Sequence, residues 1–354
     1  MSNPVDLRSD TVTRPSSAMR EAMHAAPVGD DVFDEDPTIH ALQDRGAALL
    51  GMEAALYVPS GTMANQLALL VHCRSGDDVL AGYGAHIYMY ESGAGSAIAG
   101  VNFSVIGNGG HFTADDVAES VKQTDAAGHI PPTTLVCVEN THNRGGGTIW
   151  SIPAFEAVAH VAHEHALHVH VDGARLFNAT IAGGYEARDF LAKADTVSVC
   201  FSKALGAPVG SALAGPAQLI ERARRFRKMF GGTMRQSGLL AGAALYAIQH
   251  HVDRLASDHE NARILASELE GLSGVRLDVP AEATPTNMVF FQLEDVELDA
   301  DTFCTALGAH DVAMIGMGPR RVRAVTHLDV DRDDVLKAAK ATARVLGSAA
   351  RTSN

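Results

Sequence analysis

Short apolar runs rich in β-branched residues recur along the first two thirds of the chain, each bounded by turn-forming or polar residues. The clearest are TTLVCVEN, LHVHVDG and TVSVCFS, at 133–140, 167–173 and 196–202. Runs of this length and composition are typical of buried β-strands. Stretches long enough for helices separate them. This alternation predicts an α/β fold with a mainly parallel sheet between helices.

Weaker runs extend the predicted sheet. Strands are expected in EAALYVPSG, DDVLAGY and NFSVIG, at 53–61, 77–83 and 102–107. Helices are expected at 16–26, 37–51, 62–73, 151–165, 187–193 and 217–230. A further helical pattern runs from 234 to about 271, and we expect one long helix near 238–271 to bridge two domains.

The last quarter of the chain changes character, because strand-like runs such as VRLDV, NMVFFQL and VRAVTHLDV dominate it. This pattern predicts a smaller α+β domain, and a chain of 354 residues has room for one large and one small domain. We place the large domain at 15–251 and the small domain at 252–354. Residues 1–14 are expected to form an N-terminal segment near the active site.

The charge balance narrows the possible partners. Twenty-eight basic against 42 acidic residues give a formal net charge of −14, which argues against nucleic-acid and anionic-membrane surfaces. No run approaches the length of a membrane span, and the N-terminus lacks the apolar core of a signal peptide. The four cysteines lie far apart, which disfavours a disulfide framework and predicts reduced thiols in a cytoplasmic protein.

Three chemically active side chains, Glu139, Asp172 and Lys203, follow the three clearest strand runs. Ligands of open parallel sheets bind beyond the carboxyl ends of the strands. Asp172 could hold a pyridinium nitrogen protonated, although a helix N-cap is the ordinary use of aspartate there. Lys203 could extend to water, or its amine could form a Schiff base. The two residues on successive strands favour the cofactor interpretation.

A phosphate site is predicted where VPSGTMANQLALL passes from strand into helix. Ser60, Gly61 and Thr62 would offer backbone N–H groups and a hydroxyl to an anion at the helix N-terminus. The same residues also make an ordinary helix cap, and the two roles are compatible. His86, in the loop after the next strand, is a candidate for stacking on a cofactor ring.

Two unusual stretches are given no function. HVAHEHALHVH, at 160–170, holds five histidines, but Leu167 stands where a zinc-protease pattern requires histidine. His163 and His168 are five residues apart and would point to different faces of a helix. We therefore expect no metal site. RARRFRK, at 222–228, is interpreted as a solvated helix face.

Eight ordered motifs between residue 6 and about residue 331 together resemble those of the low-specificity threonine aldolases. They are DLRSDTVTRP, GDDVFDEDPT, PSGTMANQ, ENTHNRGGGT, HVDGARLFNA, FSKALGAPVGS, GGTMRQSG and RAVTHLDV. The resemblance implies the fold type I architecture of pyridoxal-phosphate enzymes, similar to aspartate aminotransferase. It also implies pyridoxal 5′-phosphate as cofactor and a homotetramer, a dimer of dimers with shared active sites.

The resemblance also assigns roles to individual positions. The cofactor positions are matched by Lys203 as the Schiff-base lysine, Asp172 at the ring nitrogen, Arg175, His86, Gly61, Thr62 and Lys228 from a neighbouring subunit. The substrate positions are matched by Ser9, Arg235, Arg323, Tyr90 and Phe33. Phe33 stands where many relatives carry tyrosine. His129 resembles a histidine near the substrate β-hydroxyl, so His86 and His129 are both candidate bases.

The implied reaction is the reversible cleavage of L-threonine, L-allo-threonine and other β-hydroxy-α-amino acids to glycine and an aldehyde. Two alternatives stay open. One keeps the cofactor but changes the reaction to β-elimination or another amino-acid conversion, since a fold does not fix the reaction type. The other is a catalytically silent scaffold protein.

Overall fold

A seven-stranded sheet is built from the apolar runs of the large predicted domain. Its strands are β2 (Ala54–Val58), β3 (Asp78–Gly82), β4 (Asn102–Ile106), β5 (Thr133–Glu139), β6 (His168–Gly173), β7 (Thr196–Cys200) and β8 (Ser211–Gly215). Their order across the sheet is β2-β8-β7-β6-β5-β3-β4. β4, β3, β5, β6 and β7 run parallel, and β8 is antiparallel to both of its neighbours. The mostly parallel sheet confirms the predicted α/β fold class.

The computed structural model describes residues 4–352, with side chains to residue 348. Residues 1–3 and 353–354, which fall in the predicted N-terminal segment and small domain, lie outside the described residues. The chain divides into two compact units. The larger comprises Pro15–Ser202 and Ala207–His250, and the smaller comprises Met1–Arg14, Lys203–Gly206 and His251–Asn354.

The larger unit, which the structure describes in full, has ten α-helices, of which six lie between successive strands of the sheet. The ten are α1 (Ser17–Ala25), α2 (Pro37–Leu50), α3 (Gly61–His72), α4 (His86–Met89), α5 (Ala114–Ser120), α6 (Ile152–Glu164), α7 (Leu176–Gly183), α8 (Ala187–Phe190), α9 (Ala217–Met229) and α10 (Gly238–His250). Local sequence sets their ends. In α2 the Asp36 side chain accepts the N–H groups of Thr38 and Ile39, Pro37 occupies the first turn, and left-handed Gly51 ends the helix.

The strand β8 was absent from the sequence prediction. Its residues are Ser, Ala, Leu, Ala and Gly, which have little intrinsic preference for strands. All five are buried, and β8 lies between β2 and β7 within the sheet. Pairing on both sides therefore decides its conformation where local propensity does not.

The smaller unit contains a four-stranded antiparallel sheet, a two-stranded pair and three α-helices among its described residues. The sheet has the order β12-β13-β10-β9, and β1 pairs with β11 in parallel. The strands are β1 (Val5–Asp6), β9 (Val275–Leu277), β10 (Met288–Leu293), β11 (Val312–Ala313), β12 (Ile315–Gly316) and β13 (Arg321–Val325). The helices are α11 (Leu255–Glu270), α12 (Ala300–Gly308) and α13 (Arg332–Thr352). Apolar residues of both sheets and all three helices share one core.

The predicted single long helix near 238–271 is wrong. Residues 234–237 are not helical, α10 runs from Gly238 to His250, and α11 begins at Leu255. Two side chains near the break bond to the segment 203–206: the His251 ring donates to the Leu205 carbonyl (2.8 Å) and Arg254 to the Ala204 carbonyl (3.4 Å). These bonds hold the connection in a non-helical form that periodicity does not reveal.

The helices and the cysteines can be compared with the predictions on membrane spans and disulfides. Within residues 4–352, every helix is too short or too polar to cross a membrane. All four cysteines lie in this range, and none forms a disulfide.

Candidate active site

The register of the sheet places two acidic side chains side by side. Glu139 on β5 is paired with Asp172 on β6, and Asp172 is paired with Ser198 on β7. Glu139 and Asp172 lie at the carboxyl ends of their strands, and both are buried. Two neighbouring carboxyl groups are therefore held out of water at the edge where ligands of parallel sheets bind.

Asp172 is held through both of its carboxylate oxygens. Its Oδ1 accepts the backbone N–H of Ala174 (3.1 Å), and its Oδ2 accepts the side-chain amide of Asn65 (2.9 Å). The helix that follows has Arg175 as its N-cap and begins at Leu176. The alternative of a simple helix cap at Asp172 is therefore wrong. Arg175, three residues further on, is buried.

Sequence reasoning missed Asn65, Gln66 and Glu91. The Asn65 amide also donates to Glu91 Oε1 (2.8 Å), and the Gln66 amide donates to Glu91 Oε2 (2.7 Å). All three side chains are buried. Asn65 lies four residues after Gly61 in α3, on the same helix face, so helical spacing from the predicted phosphate loop could have identified it.

His86 begins α4 and contacts both remaining carboxyl groups. Its Nδ1 lies 3.2 Å from Glu91 Oε1, and its backbone N–H donates to Glu139 Oε2 (2.6 Å). The His86 ring lies 5.7 Å from the ring of Tyr90, whose hydroxyl accepts a hydrogen bond from Arg144 (2.8 Å). The structure therefore brings the predicted residues His86 and Asp172 into one cluster, joined by Asn65 and Glu91.

The electrostatics of this acidic cluster favour a positively charged ligand group. Burial, and then the charge of Asp172, raises the pKa of Glu139 to about 7. Burial likewise raises the pKa of Glu91, although His86, Asn65 and Gln66 donate to it. These shifts mean that the carboxyl groups disfavour one another's ionisation. A positively charged ring nitrogen of a cofactor would stabilise their ionised forms.

Ligand atoms of His86, Glu91 and Asp172 lie within 4.8 Å of one another and by type could hold a metal ion. The Asn65 amide nitrogen, however, lies within hydrogen-bonding distance of Glu91 Oε1 and Asp172 Oδ2. It fills the position that a cation bridging those oxygens would need. The expectation that the chain binds no metal stays a prediction.

The predicted phosphate loop forms the start of α3. Ser60 is the N-cap, and its hydroxyl accepts the N–H of Met63 (3.2 Å). The first N–H groups of a helix have no partner within it, so Gly61 and Thr62 present donors to an anion. A Cβ on Gly61 would lie 2.7 Å from Cys200 Sγ. Packing against β7 therefore requires glycine here, whatever binds.

The interpretation of 222–228 as a solvated helix face is wrong at Arg227. This side chain is 1 % exposed and forms an ion pair with the equally buried Asp31 (2.9 Å). Its Nη1 also donates to the Tyr57 carbonyl (2.8 Å). Lys228, the next residue, is exposed near the end of α9. Helical periodicity could not single out Arg227, because its partner lies almost 200 residues earlier.

Three further predicted site residues of the larger unit are exposed. His129 is 79 % exposed and bonds to Asp125 (3.0 Å). Arg235 forms an ion pair with Asp30 (3.0 Å), and Phe33 is 69 % exposed. Within one chain these residues are presented to solvent. Their proposed roles at the substrate stay predictions.

The smaller unit holds the remaining predicted residues. The hydroxyl of Thr13 donates to the Lys203 carbonyl (2.9 Å), so the N-terminal segment fixes the backbone of that lysine. Arg323 on β13 is buried and donates to the carbonyl of Arg8 (3.0 Å), next to Ser9. Lys203, Ser9 and Arg323 thus belong to one compact unit, although more than 300 residues separate the last two.

Comparison with known proteins gives a consistent result. Residues 6–294 match the beta-eliminating lyase family. The chain is 42% identical over 335 residues to low-specificity L-threonine aldolase 1 of Arabidopsis thaliana, covering 94% of this chain and 93% of that protein. It is 43% identical over 339 residues to the low specificity L-threonine aldolase of Escherichia coli K12, covering 95% and 97%. A threonine aldolase structure from Leishmania major superposes with a TM-score of 0.81 at 22% identity, covering 97% and 100%, which shows a shared fold.

Proposed function

This chain belongs to the beta-eliminating lyase family, and on that premise we propose that it is a low-specificity L-threonine aldolase. It cleaves L-threonine, L-allo-threonine and other β-hydroxy-α-amino acids to glycine and an aldehyde, with pyridoxal 5′-phosphate as cofactor. The observation that carries the proposal is the buried carboxylate of Asp172, fixed at the carboxyl edge of the sheet beside two further buried carboxyl groups.

The residues present fit this cofactor. An anionic phosphate suits the N-terminus of α3, where Gly61 and Thr62 present N–H groups. A protonated ring nitrogen suits Asp172, and His86 offers a ring to stack on. Asn65 lies one helical turn after Gly61, roughly 6 Å along α3, so one rigid helix serves both the phosphate loop and the Asp172 carboxylate. Lys203 is the residue that would hold the cofactor covalently.

When bound, pyridoxal phosphate supplies an electron sink for the electrons of the breaking Cα–Cβ bond. Asp172 would hold a proton on the ring nitrogen, because an ionised carboxylate beside it favours the charged form. Arg323, with Ser9 close to it in the chain fold, binds the substrate carboxylate and orients the Cα–Cβ bond.

A base must remove the proton of the substrate β-hydroxyl. His86 is the candidate within the cluster, and Glu91 beside its Nδ1 fixes the ring. His129 is the second candidate, and its side chain is 79 % exposed. Both assignments stay open, and the His86→Asn and His129→Asn variants would separate them by their effects on kcat.

The proposed reaction is tested with four substrates supplied separately: L-threonine, L-allo-threonine and the two D-isomers. Acetaldehyde is followed with a coupled alcohol dehydrogenase, and the visible absorbance of the cofactor is recorded on the same sample. We expect acetaldehyde and glycine from the L-isomers only. Pyruvate and ammonia would replace the proposal by β-elimination, and a cofactor band without either product pair would contradict both. The Lys203→Ala variant should lose the visible band and the activity together.

We further propose a cytoplasmic homotetramer in which neighbouring subunits complete each active site. Exposed apolar side chains support this: Phe33, Met229 and Leu239 are 69, 66 and 49 % exposed. Lys228 and Arg235 are exposed on neighbouring stretches of the chain and would be available to a second copy. Light scattering coupled to size exclusion gives the mass, and a monomer with full activity would contradict shared sites.

A further inference from the structure

The side-chain amide of Asn65 uses all of its hydrogen-bonding positions. Its nitrogen donates to Asp172 Oδ2 (2.9 Å) and Glu91 Oε1 (2.8 Å). Its oxygen accepts from the Ser198 hydroxyl (2.8 Å) and lies 3.2 Å from His170 Nε2. An asparagine amide has two donor hydrogens and two acceptor lone pairs, so this one is saturated.

The two carboxylates identify which way this amide points in the structure. If the amide were rotated by 180°, its oxygen would face the oxygens of two carboxyl groups. That arrangement is repulsive unless both acids take up protons. Because the Asn65 oxygen can only accept, a hydrogen bond across this contact requires a hydrogen on His170 Nε2.

The hydrogen on His170 Nε2 also determines the donors and acceptors of the next two hydrogen bonds. Burial lowers the pKa of His170 to about 4, so the ring is neutral near pH 7 and its Nδ1 is an acceptor. Nδ1 lies 2.9 Å from the Thr196 hydroxyl, which therefore donates to it. The hydroxyl oxygen lies 2.9 Å from His72 Nε2, which in turn donates to Thr196. Burial keeps His72 neutral as well, lowering its pKa to about 3.

The result is one directed chain of hydrogen bonds within the larger unit, from His72 through Thr196, His170 and Asn65 to Asp172. Every donor in it points toward Asp172. Its outer end lies near the surface, where the His72 ring is 4.7 Å from that of His168. Asp195 then pairs with His168 (3.8 Å) and His163 (3.1 Å). The histidine-rich stretch at 160–170 thus takes part in a network that leads to the site, and His72 and Asp195 complete it from elsewhere in the sequence.

We propose that His170, backed by Thr196, is a positioning residue that locks the Asn65 amide in the orientation that keeps Asp172 ionised and aimed at the cofactor ring nitrogen. This inference rests on the proposed function, because it takes Asp172 as the partner of that nitrogen. It assigns a role to the histidine of HVDGAR and to the asparagine of SGTMANQ. Both side chains act through the Asp172 carboxylate and not by direct contact with the cofactor ring.

Two substitutions at position 170 separate orientation from packing. In His170→Gln the terminal amide nitrogen takes roughly the place of Nε2 and can still donate to Asn65. In His170→Asn the shorter amide reaches only the Thr196 side, so Asn65 loses that donor. Both variants replace an aromatic ring by a smaller amide, so they share most of the packing loss. A donor to the Asn65 oxygen is the intended difference.

The first readout is the ring nitrogen of ¹⁵N-labelled pyridoxal phosphate bound to each protein, whose chemical shift reports protonation without turnover. The second is the Kd of the cofactor, measured by fluorescence on the apoprotein. For His170→Asn we expect a largely deprotonated ring nitrogen at pH 8 and a Kd raised about tenfold, the usual effect of losing one hydrogen bond to a buried polar network. For His170→Gln we expect a protonated nitrogen and a Kd within about threefold of the wild type.

Equal effects of the two variants, or a protonated nitrogen in both, would overturn the proposal and leave His170 a packing residue. If His170→Asn does not fold, ¹⁵N spectra of the histidine rings in the wild-type apoprotein decide. The proposal requires that His170 is protonated at Nε2 alone, and a hydrogen on Nδ1 would contradict it. The wild-type acetaldehyde assay is separate. A protein that binds the cofactor with the expected nitrogen signals but makes no acetaldehyde would contradict the aldolase proposal alone.

Discussion

At the scale of single residues, Asp172 depends on two donors from different parts of the chain, the backbone of Ala174 and the side chain of Asn65. An asparagine at 172 would keep the size of the side chain but lose the charge. Its amide would also meet the Asn65 amide nitrogen as a second donor or give up the bond to Ala174. The shape of the site would survive while its electrostatic function would not.

Asp172→Asn is therefore expected to lower kcat/KM for L-threonine by at least about 100-fold, the usual loss when one charge-stabilising group is removed. Steady-state kinetics with saturating cofactor measure the effect. Circular dichroism of the variant controls for misfolding. Activity within about threefold of the wild type would remove Asp172 from the proposed mechanism.

Packing alone disfavours any side chain at Gly61, whether or not a ligand binds, because a Cβ there would lie 2.7 Å from Cys200 Sγ. We expect Gly61→Ala to lower the free energy of unfolding by about 1–3 kcal/mol, the usual effect of overpacking a core. Urea unfolding of the apoprotein measures it.

Cys200→Ala provides the control, because it removes the sulfur that the new methyl group would strike. In that background Gly61→Ala should cost less than half as much, giving a coupling energy in a double-mutant cycle. Equal costs in the two backgrounds would show that some other contact requires glycine.

At the scale of elements, α9 presents one buried cation among several exposed ones. Arg227 and Asp31 are both 1 % exposed, and the pair fixes the loop before α2 against α9. Arg225, two residues earlier on the same helix, is exposed. The same helix therefore offers a buried arginine for the test and an exposed arginine as its control.

Arg227→Ala should lower the free energy of unfolding by about 3–5 kcal/mol, because it leaves the Asp31 carboxylate buried without its partner. Arg225→Ala should change the same quantity by less than about 0.5 kcal/mol. Both are measured by urea unfolding. A similar cost for the two variants would mean that water reaches Asp31.

Elements also show where sequence patterns succeed. Strands β5, β6 and β7 could be located from their β-branched runs, and α2 from Pro37 and its acidic cap. The strand β8 could not, since alanine and glycine carry no strand signal, and neither could the break between α10 and α11. In both cases bonds to residues far along the chain override local preference.

At the scale of the whole molecule, both compact units bury neutral histidines. Burial lowers the pKa of His72 to about 3 and of His142, His170 and His259 to about 4. An unfolded histidine takes up its proton near pH 6.5, so below that value the unfolded state binds more protons than the folded one. Each such histidine thus contributes stability that is present above pH 6.5 and is lost as the pH falls toward 4.

His259 in the smaller unit tests this linkage away from the candidate site. The His259→Gln variant is less stable than the wild type at pH 8, but the gap should narrow by about 1.4 kcal/mol per pH unit between 6.5 and 4. Urea unfolding of the apoprotein at several pH values measures the gap. A gap that stays constant over this range would show that His259 takes up its proton while folded.

The sequence by itself determined the α/β class, most of the strand and helix positions and the motifs that identify the family. These depend on local composition, period and capping, which act over a few residues. Only the tertiary structure decided that Asn65 joins Asp172 to Glu91, that Arg227 is buried against Asp31, and that His72 and His170 meet at Thr196. The partners in each pair lie 26 to 196 residues apart. No local pattern records which of many polar residues will share one buried space, because strand order, register and the packing of helices and loops against the sheet bring them together.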